Sequence, residues 1–387
     1  MKEFLEGSMA VALGVSVCKP HVISAYPITP QTHIVEHLSE LVADGDLKSQ
    51  FINVESEFGA ASVVLGAASA GARAFSATTS QGLLLMGEVL FNISGMRLPL
   101  VITVANRAVS APINIWNDHS DAMIFRDAGW IMLFAEDNQE VHDMHIQAYK
   151  IGETPEISLP VMVNMDGFIL THAYEPVDTI DQEDADEFLP PFNPVVKLDV
   201  ENPLTMGPLA EPQWYLETRY RIQEAMLEAK PLVKQVAKEF KDKFGRWYGD
   251  VIDTYRMDDA EIVYVAMGSI CGTIKDTVDT LRDKGEKAGL LKIRLYRPFP
   301  GDEIVEALKD KKKVIVLEKA VSLGASGMLS DEIKAAFYPT QHRPEISSTF
   351  GGLGGRDISQ ASLAKLYDRV KGERQDNIFV DLKTELV

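Results

Sequence analysis

The sequence has few cysteines, and their positions exclude both a disulfide framework and a cysteine-ligated metal or iron–sulfur site. Cys18 and Cys271 are the two cysteines of the chain, and they lie too far apart to form a CxxC pair. A reduced, cytoplasmic setting is therefore expected. The amino terminus, Met1–Gly7, is not expected to be a signal peptide, because no apolar run follows a cationic region there.

Long apolar runs and an excess of basic residues are also missing. The most apolar stretch, Leu98–Val104, is much shorter than the roughly 20 residues that span a bilayer, so no membrane span is expected. The net charge of −19 argues against nucleic acid as a partner, because phosphate neutralisation requires clustered Lys and Arg. An anionic substrate would need a cationic side chain close to it.

Two glycine-rich segments lack the spacing of a dinucleotide site. Residues 268–273 read GSICGT and residues 351–356 read GGLGGR, and neither segment contains GxGxxG. The glycines of the second segment are compatible with a close approach of the backbone to a ligand or a subunit, and equally with a tight turn.

Apolar runs alternate with helical patterns over the first 170 residues, and this alternation predicts βαβ units around a parallel sheet. The predicted strands are His21–Tyr26, Phe51–Glu55, Ala74–Thr79, Leu98–Ala105, Ile131–Ala135 and Leu159–Asp166. The predicted helices are Gln31–Ala43, Glu57–Ala70, Gly82–Ser94 and Gln139–Gly152.

The second half of the sequence changes character twice. Residues 175–212 carry many prolines and the acidic run 181–187, which predicts an extended connector or an arm rather than a packed element. A helical pattern follows over Gln213–Phe244, and Pro231 is expected to break or kink it. The βα alternation then resumes, with predicted strands Ile262–Met267, Leu290–Tyr296, Val314–Glu318 and Glu345–Thr349 and helices after Cys271, Gly301, Ala325 and Arg356. The sequence therefore predicts an α/β fold with domains 1–175, 176–255 and 256–387.

Two candidate site residues follow the ends of predicted strands. Thr29 lies in Ala25–Pro30 and Glu57 lies in Val54–Gly59, and ligands of open α/β sheets bind at the carboxyl ends of strands. The Thr29 hydroxyl would either contact a substrate oxygen or cap a helix. Glu57 would either share a proton with a ligand in a partly desolvated setting or offset the dipole of the helix that it begins.

Other polar residues also follow predicted strands. Arg107 ends an apolar strand, and it would either pair with a nearby acid or bind an anion through its planar guanidinium. Thr79, Ser80 and Gln81 stand at another strand-to-helix turn, where they would either line a cofactor ring or cap the helix.

The segment after Arg107 is a candidate active-site loop that contains Asn114, Asp118, His119 and Asp121. Aspartate and histidine so close together would bind a metal or move protons. The same residues also suit a loop held by internal Asx hydrogen bonds, and this second interpretation is preferred. No metal ligand is assigned on this chain.

Seven segments together resemble the α subunit of the 2-oxoacid:ferredoxin oxidoreductases, and within that family the pyruvate:ferredoxin oxidoreductases. The segments occur in order between residues 25 and 358, and they are AYPITPQT, VESEFGAA, TSQGLLLM, ANRAVSAPINIWNDHSD, LPVMVNMDGF, LYRPFP and GGLGGRDI. Each is weak alone, whereas seven in order are specific.

The resemblance implies thiamine diphosphate as the cofactor. It also implies a pyrimidine-binding first domain, a parallel sheet with helices on both faces, followed by an α/β domain like the carboxyl-terminal domain of transketolase. By match to the family motifs, Glu57 would hydrogen-bond N1′ of the aminopyrimidine, and Thr79, Ser80 and Gln81 would contact the cofactor. Thr29 and Arg107 would hold the carboxylate and carbonyl of a 2-oxoacid, and the cofactor would accept electrons after decarboxylation.

The sequence lacks a Gly-Asp-Gly segment followed by asparagine, the usual signature for diphosphate and Mg²⁺. The resemblance implies that a β subunit carries that site and that ferredoxin-like γ and δ subunits or domains carry [4Fe–4S] clusters, so this chain alone would be inactive. The implied reaction is reversible and converts pyruvate, coenzyme A and oxidised ferredoxin into acetyl-CoA, CO₂ and reduced ferredoxin.

Alternatives to pyruvate as the substrate and to this redox reaction stay open. A neutral residue at Thr29 argues against dicarboxylates such as 2-oxoglutarate, whereas 2-oxoisovalerate and phenylglyoxylate remain possible substrates. A non-redox, transketolase-like subunit and a non-catalytic scaffold are the remaining hypotheses.

Overall fold

The structure is a computed structural model that describes residues 2–372 and 375–387. The chain has the predicted α/β class. Its strands are β1 (Lys2–Glu6), β2 (Val22–Ser24), β3 (Gln50–Ile52), β4 (Ala74–Thr78), β5 (Val101–Asn106), β6 (Ile131–Phe134), β7 (Val161–Asp166), β8 (Tyr174–Asp178), β9 (Ile252–Tyr255), β10 (Ile262–Ala266), β11 (Ala288–Ile293), β12 (Leu295–Arg297), β13 (Lys313–Glu318), β14 (Glu345–Phe350) and β15 (Ile378–Phe379). Its α-helices are α1 (Gly7–Ser16), α2 (Thr32–Asp44), α3 (Glu57–Ser69), α4 (Ser80–Leu85), α5 (Gly87–Gly95), α6 (Ser120–Ile124), α7 (Asn138–Glu153), α8 (Gln182–Phe188), α9 (Pro212–Phe244), α10 (Ile270–Asp283), α11 (Gly301–Leu308), α12 (Met328–Phe337) and α13 (Gln360–Lys371).

Two large sheets and one two-stranded ribbon contain these strands. The first sheet has the order β12-β6-β7-β5-β4-β2-β3, and the second has the order β15-β14-β13-β10-β11-β9. Neighbouring strands are parallel except at one edge of each sheet, where β12 runs antiparallel to β6 and β9 runs antiparallel to β11. The predicted parallel sheet is therefore confirmed, with one antiparallel strand, β12, added at its edge. Strand β12 directly follows β11 of the second sheet, so the chain crosses from the second sheet to the first at this edge.

The first sheet is buried on both faces. Val101 packs in one apolar cluster with Val11 of α1 and Tyr149 of α7, whereas the next residue, Ile102, packs in another cluster with α3 and α5. Helices on both faces explain why the strands appear in the sequence as continuous apolar runs. The second cluster also contains side chains of β10 and β11, so the two sheets share a core.

The predicted connector contains more structure than expected. Its start forms β8, which pairs with β1, and the acidic run forms α8, where Asp181 accepts a hydrogen bond from the Asp184 amide. Phe188 at the end of α8 packs against Phe240 of α9. The prediction of an unpacked segment is thus wrong for these two elements, because the apolar residues between the acids were not recognised as a buried face.

Helix α9 continues through Pro231, so the predicted break is wrong. Proline removes one backbone hydrogen bond, and burial of Val233, Val236 and Phe240 on the same helix offsets this loss. The predicted single helix Gly82–Ser94 is instead two helices, α4 and α5, which meet at Met86.

The segment before His21, for which no element is predicted, forms β1 and α1. Helix α1 is buried on nearly every side, so its sequence lacks the polar face that makes a helix recognisable. Gly14 allows close contact with α7, since a Cβ built there would lie 2.5 Å from the carbonyl oxygen of His142.

Replacement of Gly14 by alanine is expected to lower the free energy of unfolding by about 2 kcal/mol or more, because the methyl group would overpack α1 against α7. Gly66→Ala is the matched control, since a Cβ there meets no atom within 4 Å. That change should stabilise α3 by about 0.5–1 kcal/mol. Denaturant titration measures both effects, and equal stabilities of the two variants would contradict this packing.

The two cysteines are buried with free thiols, and burial raises the pKa of each thiol far above its ordinary value. Among residues 2–372 and 375–387, no helix combines the length and the apolar character that a membrane crossing requires.

Candidate functional site

The candidate residues converge at one edge of the first sheet. The strands β5, β4, β2 and β3 are neighbours in that order, and each is followed by a turn with a predicted site residue. Thr29 follows β2, Glu57 follows β3, Gln81 follows β4 and Arg107 follows β5. Because these strands are parallel, all four turns lie at their carboxyl ends.

Glu57 is a buried carboxylate without a protein partner. It is the first residue of α3, after the cap at Ser56, whose hydroxyl accepts a hydrogen bond from the Gly59 amide at 3.1 Å. Glu57 is 8% exposed, and no residue in the described part of the chain donates a hydrogen bond to its carboxylate or forms an ion pair with it. Buried polar groups normally have partners, so this carboxylate is free to bind a ligand.

The space beside Glu57 depends on Gly82. A Cβ at Gly82 would lie 2.8 Å from Glu57 Oε1 and 2.6 Å from Thr78 Oγ1. The Thr78 hydroxyl and the Gln81 Nε2 are both buried without a hydrogen-bond partner. Two polar groups with unused hydrogen-bonding capacity, the Glu57 carboxylate and the Thr78 hydroxyl, therefore lie against Gly82. The preceding residue, Gln81, carries a third such group, and a set of this kind fits a nitrogen-rich ring better than an apolar ligand.

Arg107 is a buried cation whose partners are neutral. Its guanidinium donates to the carbonyl oxygen of Thr29 at 2.8 Å, to the carbonyl oxygen of Asn114 at 3.2 Å and to Gln81 Oε1 at 3.3 Å. Its backbone amide donates to Asp121, but within the described residues no carboxylate oxygen lies within 4.0 Å of the guanidinium nitrogens. The predicted alternative of an ion pair between this guanidinium and an acid is therefore wrong. A guanidinium has more N–H donors than these three acceptors use. Arg107, at 6% exposure, can therefore bind an anion.

Thr29 is positioned through its backbone. Its carbonyl oxygen holds the Arg107 guanidinium, while its side chain lies on the exposed surface of the turn. The predicted capping alternative is wrong, because Gln31 is the N-cap of α2. The Thr29 hydroxyl, which makes no hydrogen bond among the residues described here, is left available beside Arg107.

The turn after β4 ties two strands together. Thr79 Oγ1 donates to the carbonyl oxygen of Ala105 at 2.5 Å, and Ser80 Oγ donates to that of Ala108 at 2.5 Å. Thr79 occupies the N-cap position of α4 without a side-chain capping bond. The hydroxyls therefore fix the backbone geometry, and Gln81, whose Oε1 accepts from Arg107, is the residue of this turn whose side-chain nitrogen has no partner among the described residues.

Asp121, a residue of the candidate active-site loop, organises the site in a way that its sequence context does not indicate. Its Oδ2 accepts from the amides of Ser80 and Arg107, each at 3.0 Å, and its Oδ1 accepts from Asn106 Nδ2 at 3.0 Å and from the Ala122 amide at 2.7 Å. This one carboxylate thus holds the ends of β4 and β5 together. An aspartate in the first turn of a short helix gives no sequence signal beyond ordinary capping.

The pH dependence of stability should report on Asp121. Burial raises its pKa from 3.8 to about 6, so between those values the native state holds a proton that the unfolded chain releases. The slope of stability against pH is then negative. As the pH rises from about 4 to about 7, the free energy of unfolding of the wild-type protein should fall by up to about 3 kcal/mol relative to that of Asp121→Asn. Denaturant titrations measure this difference, and a pH-independent difference would contradict the raised pKa.

The candidate active-site loop serves several purposes. The backbone carbonyl oxygen of Asn114 accepts a hydrogen bond from Arg107, and the side-chain Nδ2 of Asn114 donates to the carbonyl oxygen of Gly354 at 3.1 Å. Asp118 Oδ1 accepts from the Ser120 amide at 2.7 Å, which is the predicted Asx interaction. The glycines of the 351–356 segment allow close contact with this loop, since a Cβ at Gly354 would lie 2.5 Å from Asn114 Nδ2.

His119 joins the two sheets. Its Nε2 lies 2.6 Å from Asp166 Oδ1, and the second oxygen of Asp166 accepts from Lys319 at 2.5 Å and from the amide and hydroxyl of Ser269. Although burial opposes ionisation, Lys319 and His119 hold the pKa of Asp166 well below its usual range. Sequence reasoning found His119 but missed this role, because its partners come from distant elements.

Two family models match the chain. Residues 14–238 match the model described as pyruvate flavodoxin/ferredoxin oxidoreductase, thiamine diphosphate-binding, and residues 260–363 match pyruvate:ferredoxin oxidoreductase core domain II. The chain belongs to this family. The resemblance inferred from seven segments is therefore confirmed.

Curated relatives match almost end to end. The chain is 54% identical to pyruvate synthase subunit PorA of Methanosarcina barkeri, with 99% of this chain and 97% of the relative covered. It is 48% identical to the subunit of the same name from Thermotoga maritima, with 94% and 92% covered. It is also 43% identical to ketoisovalerate oxidoreductase subunit VorA of Pyrococcus horikoshii, with 96% and 94% covered.

A solved structure with a similar fold is that of 2-oxoglutarate:ferredoxin oxidoreductase from Magnetococcus marinus, with 2-oxoglutarate, coenzyme A and succinyl-CoA bound. The TM-score is 0.72 at 21% sequence identity, and the match covers 97% of this chain. This chain spans 65% of the length of that protein chain. At this identity the comparison supports the fold, with no inference about the substrate.

Proposed function

We propose that this chain is the α subunit of a pyruvate:ferredoxin oxidoreductase, which oxidatively decarboxylates pyruvate to acetyl-CoA and works reversibly. The observation that carries the proposal is the pairing of a buried, unpartnered carboxylate with a buried, unpaired guanidinium at one sheet edge. Glu57 and Arg107 have these two properties. Membership of the family gives this pair its chemical meaning.

Thiamine diphosphate fits the residues around Glu57. The carboxylate of Glu57, the hydroxyl of Thr78 and the amide nitrogen of Gln81 have unused hydrogen-bonding capacity, and a pyrimidine ring offers ring and exocyclic nitrogens to such groups. When bound, the coenzyme supplies an electron sink for the decarboxylation of a 2-oxoacid. Glu57 would hold the ring and share a proton with it.

Arg107 and Thr29 would hold the substrate. The free N–H groups of Arg107 match the two oxygens of a carboxylate, and the Thr29 hydroxyl would donate to the neighbouring carbonyl. Asp121 and Gln81 would keep Arg107 in place, as their hydrogen bonds show. This arrangement supplies one positive charge for one substrate carboxylate, which suits a monocarboxylic 2-oxoacid.

The remaining parts of the enzyme would belong to other polypeptides. We assign the diphosphate and Mg²⁺ site to a β subunit and the [4Fe–4S] clusters to γ and δ subunits, with ferredoxin reduced through those subunits. The chain would divide into a pyrimidine-binding domain at 1–175, a connector at 176–255 and a transketolase-like domain at 256–387. A cytoplasmic location agrees with its two unpaired cysteines.

A branched-chain 2-oxoacid is the second candidate substrate. The observation in its favour is the 43% identity to a ketoisovalerate oxidoreductase subunit, which lies close to the 44% identity to a PorA subunit of Methanothermobacter thermautotrophicus. The choice between a methyl and an isopropyl group depends on pocket shape, and one methylene changes binding by about 1–3 kcal/mol.

The test is an assay of the purified native complex with pyruvate, 2-oxoisovalerate, phenylglyoxylate and 2-oxoglutarate, with coenzyme A and oxidised ferredoxin present. The proposal predicts the highest kcat/KM with pyruvate and an iron-rich, brown complex. A preference for 2-oxoisovalerate would transfer the assignment to the branched-chain enzyme. A colourless complex that is active without an electron acceptor would overturn the redox function.

A further inference from the structure

A cluster of imidazole and carboxylate groups lies outside the candidate site. Glu6 ends β1, His33 lies in the first turn of α2, and His172 follows β7. One ligand atom from each of the three residues lies within 4.8 Å of the others. These three residues are called the Glu6 cluster below.

The Glu6 cluster is compact and partly shielded from solvent. His33 Nδ1 lies 2.8 Å from Glu6 Oε1, and the rings of His33 and His172 have centroids 4.7 Å apart. The side chain of Glu6 is 11% exposed and that of His33 is 42% exposed. A small ion could therefore reach the cluster from solvent while its carboxylate ligand stays largely desolvated.

Neighbouring residues orient the ligating groups. The Thr171 hydroxyl accepts a hydrogen bond from the Phe168 amide at 2.8 Å and lies 2.7 Å from His172 Nδ1. With a proton on that Nδ1 atom, Nε2 of His172 is the nitrogen free to bind a metal, as in many sites where the second ring nitrogen is held by an oxygen.

His37 adds a further contact on the same helix. It lies one turn after His33, and its Nε2 is 3.5 Å from Glu6 Oε2, the carboxylate oxygen that His33 does not use. The two histidines at i and i+4 therefore approach the two oxygens of one carboxylate from the same face of α2. Such an arrangement fixes the orientation of the Glu6 side chain.

We propose that the Glu6 cluster is a binding site for a divalent first-row metal ion, with Glu6, His33 and His172 as ligands and water in the remaining position. Two imidazoles and one carboxylate are a ligand set that both Zn²⁺ and Fe²⁺ accept. Zinc bonds of about 2.0–2.1 Å in tetrahedral geometry place ligand atoms about 3.3 Å apart. The 2.8 Å separation of His33 and Glu6 must therefore widen by a side-chain rotation.

The bound ion would join three segments that are distant in sequence. It would tie the amino-terminal strand to the start of α2 and to the loop after β7, and α2 begins directly after the turn that carries Thr29. The ion lies outside the site that holds Glu57 and Arg107, so its main effect is stabilisation of the fold by mass action. Sequence alone assigns no metal ligand here, because the three residues come from separate elements.

The experiment is equilibrium dialysis of the purified complex against buffered Zn²⁺, with Mg²⁺ in excess, followed by metal analysis. Per α chain, the wild-type complex should hold one more Zn²⁺ than the His33→Gln complex. The affinity of the Glu6 cluster for Zn²⁺ should be at least about 100-fold higher in wild type than in His33→Gln. X-ray absorption at the zinc edge should show two imidazoles and oxygen ligands. A parallel anaerobic titration with Fe²⁺ determines which ion the site prefers.

Two further variants make the outcome decisive. His342→Gln changes an exposed histidine elsewhere and should retain the additional Zn²⁺, whereas His172→Gln should lose it. Zn²⁺ should raise the thermal midpoint of wild type, whereas the midpoint of His33→Gln should not respond to Zn²⁺. Equal metal content in wild type and His33→Gln, for both ions, would overturn the proposal.

Discussion

Glu57→Gln, in the reconstituted complex, is expected to lower kcat at least about 100-fold at saturating thiamine diphosphate. Glutamine has nearly the same shape as glutamate and can still donate a hydrogen bond, so the coenzyme should bind with little change. It cannot share or transfer a proton as a carboxyl group does. The expected signature is therefore a loss of turnover without a matching loss of coenzyme affinity, measured by steady-state kinetics and by coenzyme titration.

Glu55→Gln is the matched control for this variant. It makes the same chemical change two residues earlier, at an exposed position, and should leave kcat within about twofold of wild type. Wild-type turnover by Glu57→Gln would leave a non-catalytic scaffold as the better description of this chain.

Arg107→Lys is expected to raise the KM for the 2-oxoacid about 10- to 100-fold. A point charge would replace a planar fork that can bind both oxygens of a carboxylate, and charge-assisted hydrogen bonds contribute about 1.5–3 kcal/mol each. The guanidinium now donates to the carbonyl oxygens of Thr29 and Asn114 and to Gln81 Oε1. A lysine could not reach all three acceptors, so at least one of them would lose its donor. Some loss of kcat should therefore accompany the change in KM.

Two comparisons distinguish a loss of 2-oxoacid binding from a general disruption of the protein structure. The KM for coenzyme A should stay within about twofold in Arg107→Lys, and the exposed Arg369→Lys should leave both constants near wild type. An unchanged KM for the 2-oxoacid in Arg107→Lys would contradict its assignment as the carboxylate ligand.

The main candidate residues could be found from sequence because of where they stand along the chain. Thr29, Glu57 and Arg107 each follow a strand of a parallel sheet, and the carboxyl ends of parallel strands meet at one edge. The sheet order shows that their strands are close neighbours. The position of these residues after strands therefore predicts that they lie close together, and the family motifs give their roles.

The partners of these residues could not be found in the same way. Asp121 holds Ser80 and Arg107 through hydrogen bonds that depend on tertiary structure, and a lone aspartate in a loop has many other possible roles. His119, Asp166 and Lys319 meet only because the two sheets pack together. No local spacing encodes such a contact.

The same reasoning explains the errors in the fold. Helix α1 is buried on almost every side, so it lacks the alternation of polar and apolar faces that identifies a helix. Strand β12 lies in the part of the sequence that forms the second sheet, yet it pairs with β6 of the first sheet. This pairing depends on the packing of the whole molecule. Helix α9 persists through Pro231 because packing outweighs local propensity.

We propose that Glu57 activates a coenzyme bound at the edge of the first sheet. The most direct measurement is the rate at which the C2 proton of thiamine diphosphate exchanges with deuterium in the assembled complex, compared between wild type and Glu57→Gln at equal coenzyme occupancy. We predict exchange at least about 100-fold slower in the variant. Equal exchange rates would contradict the assignment of Glu57, and with it the proposed site.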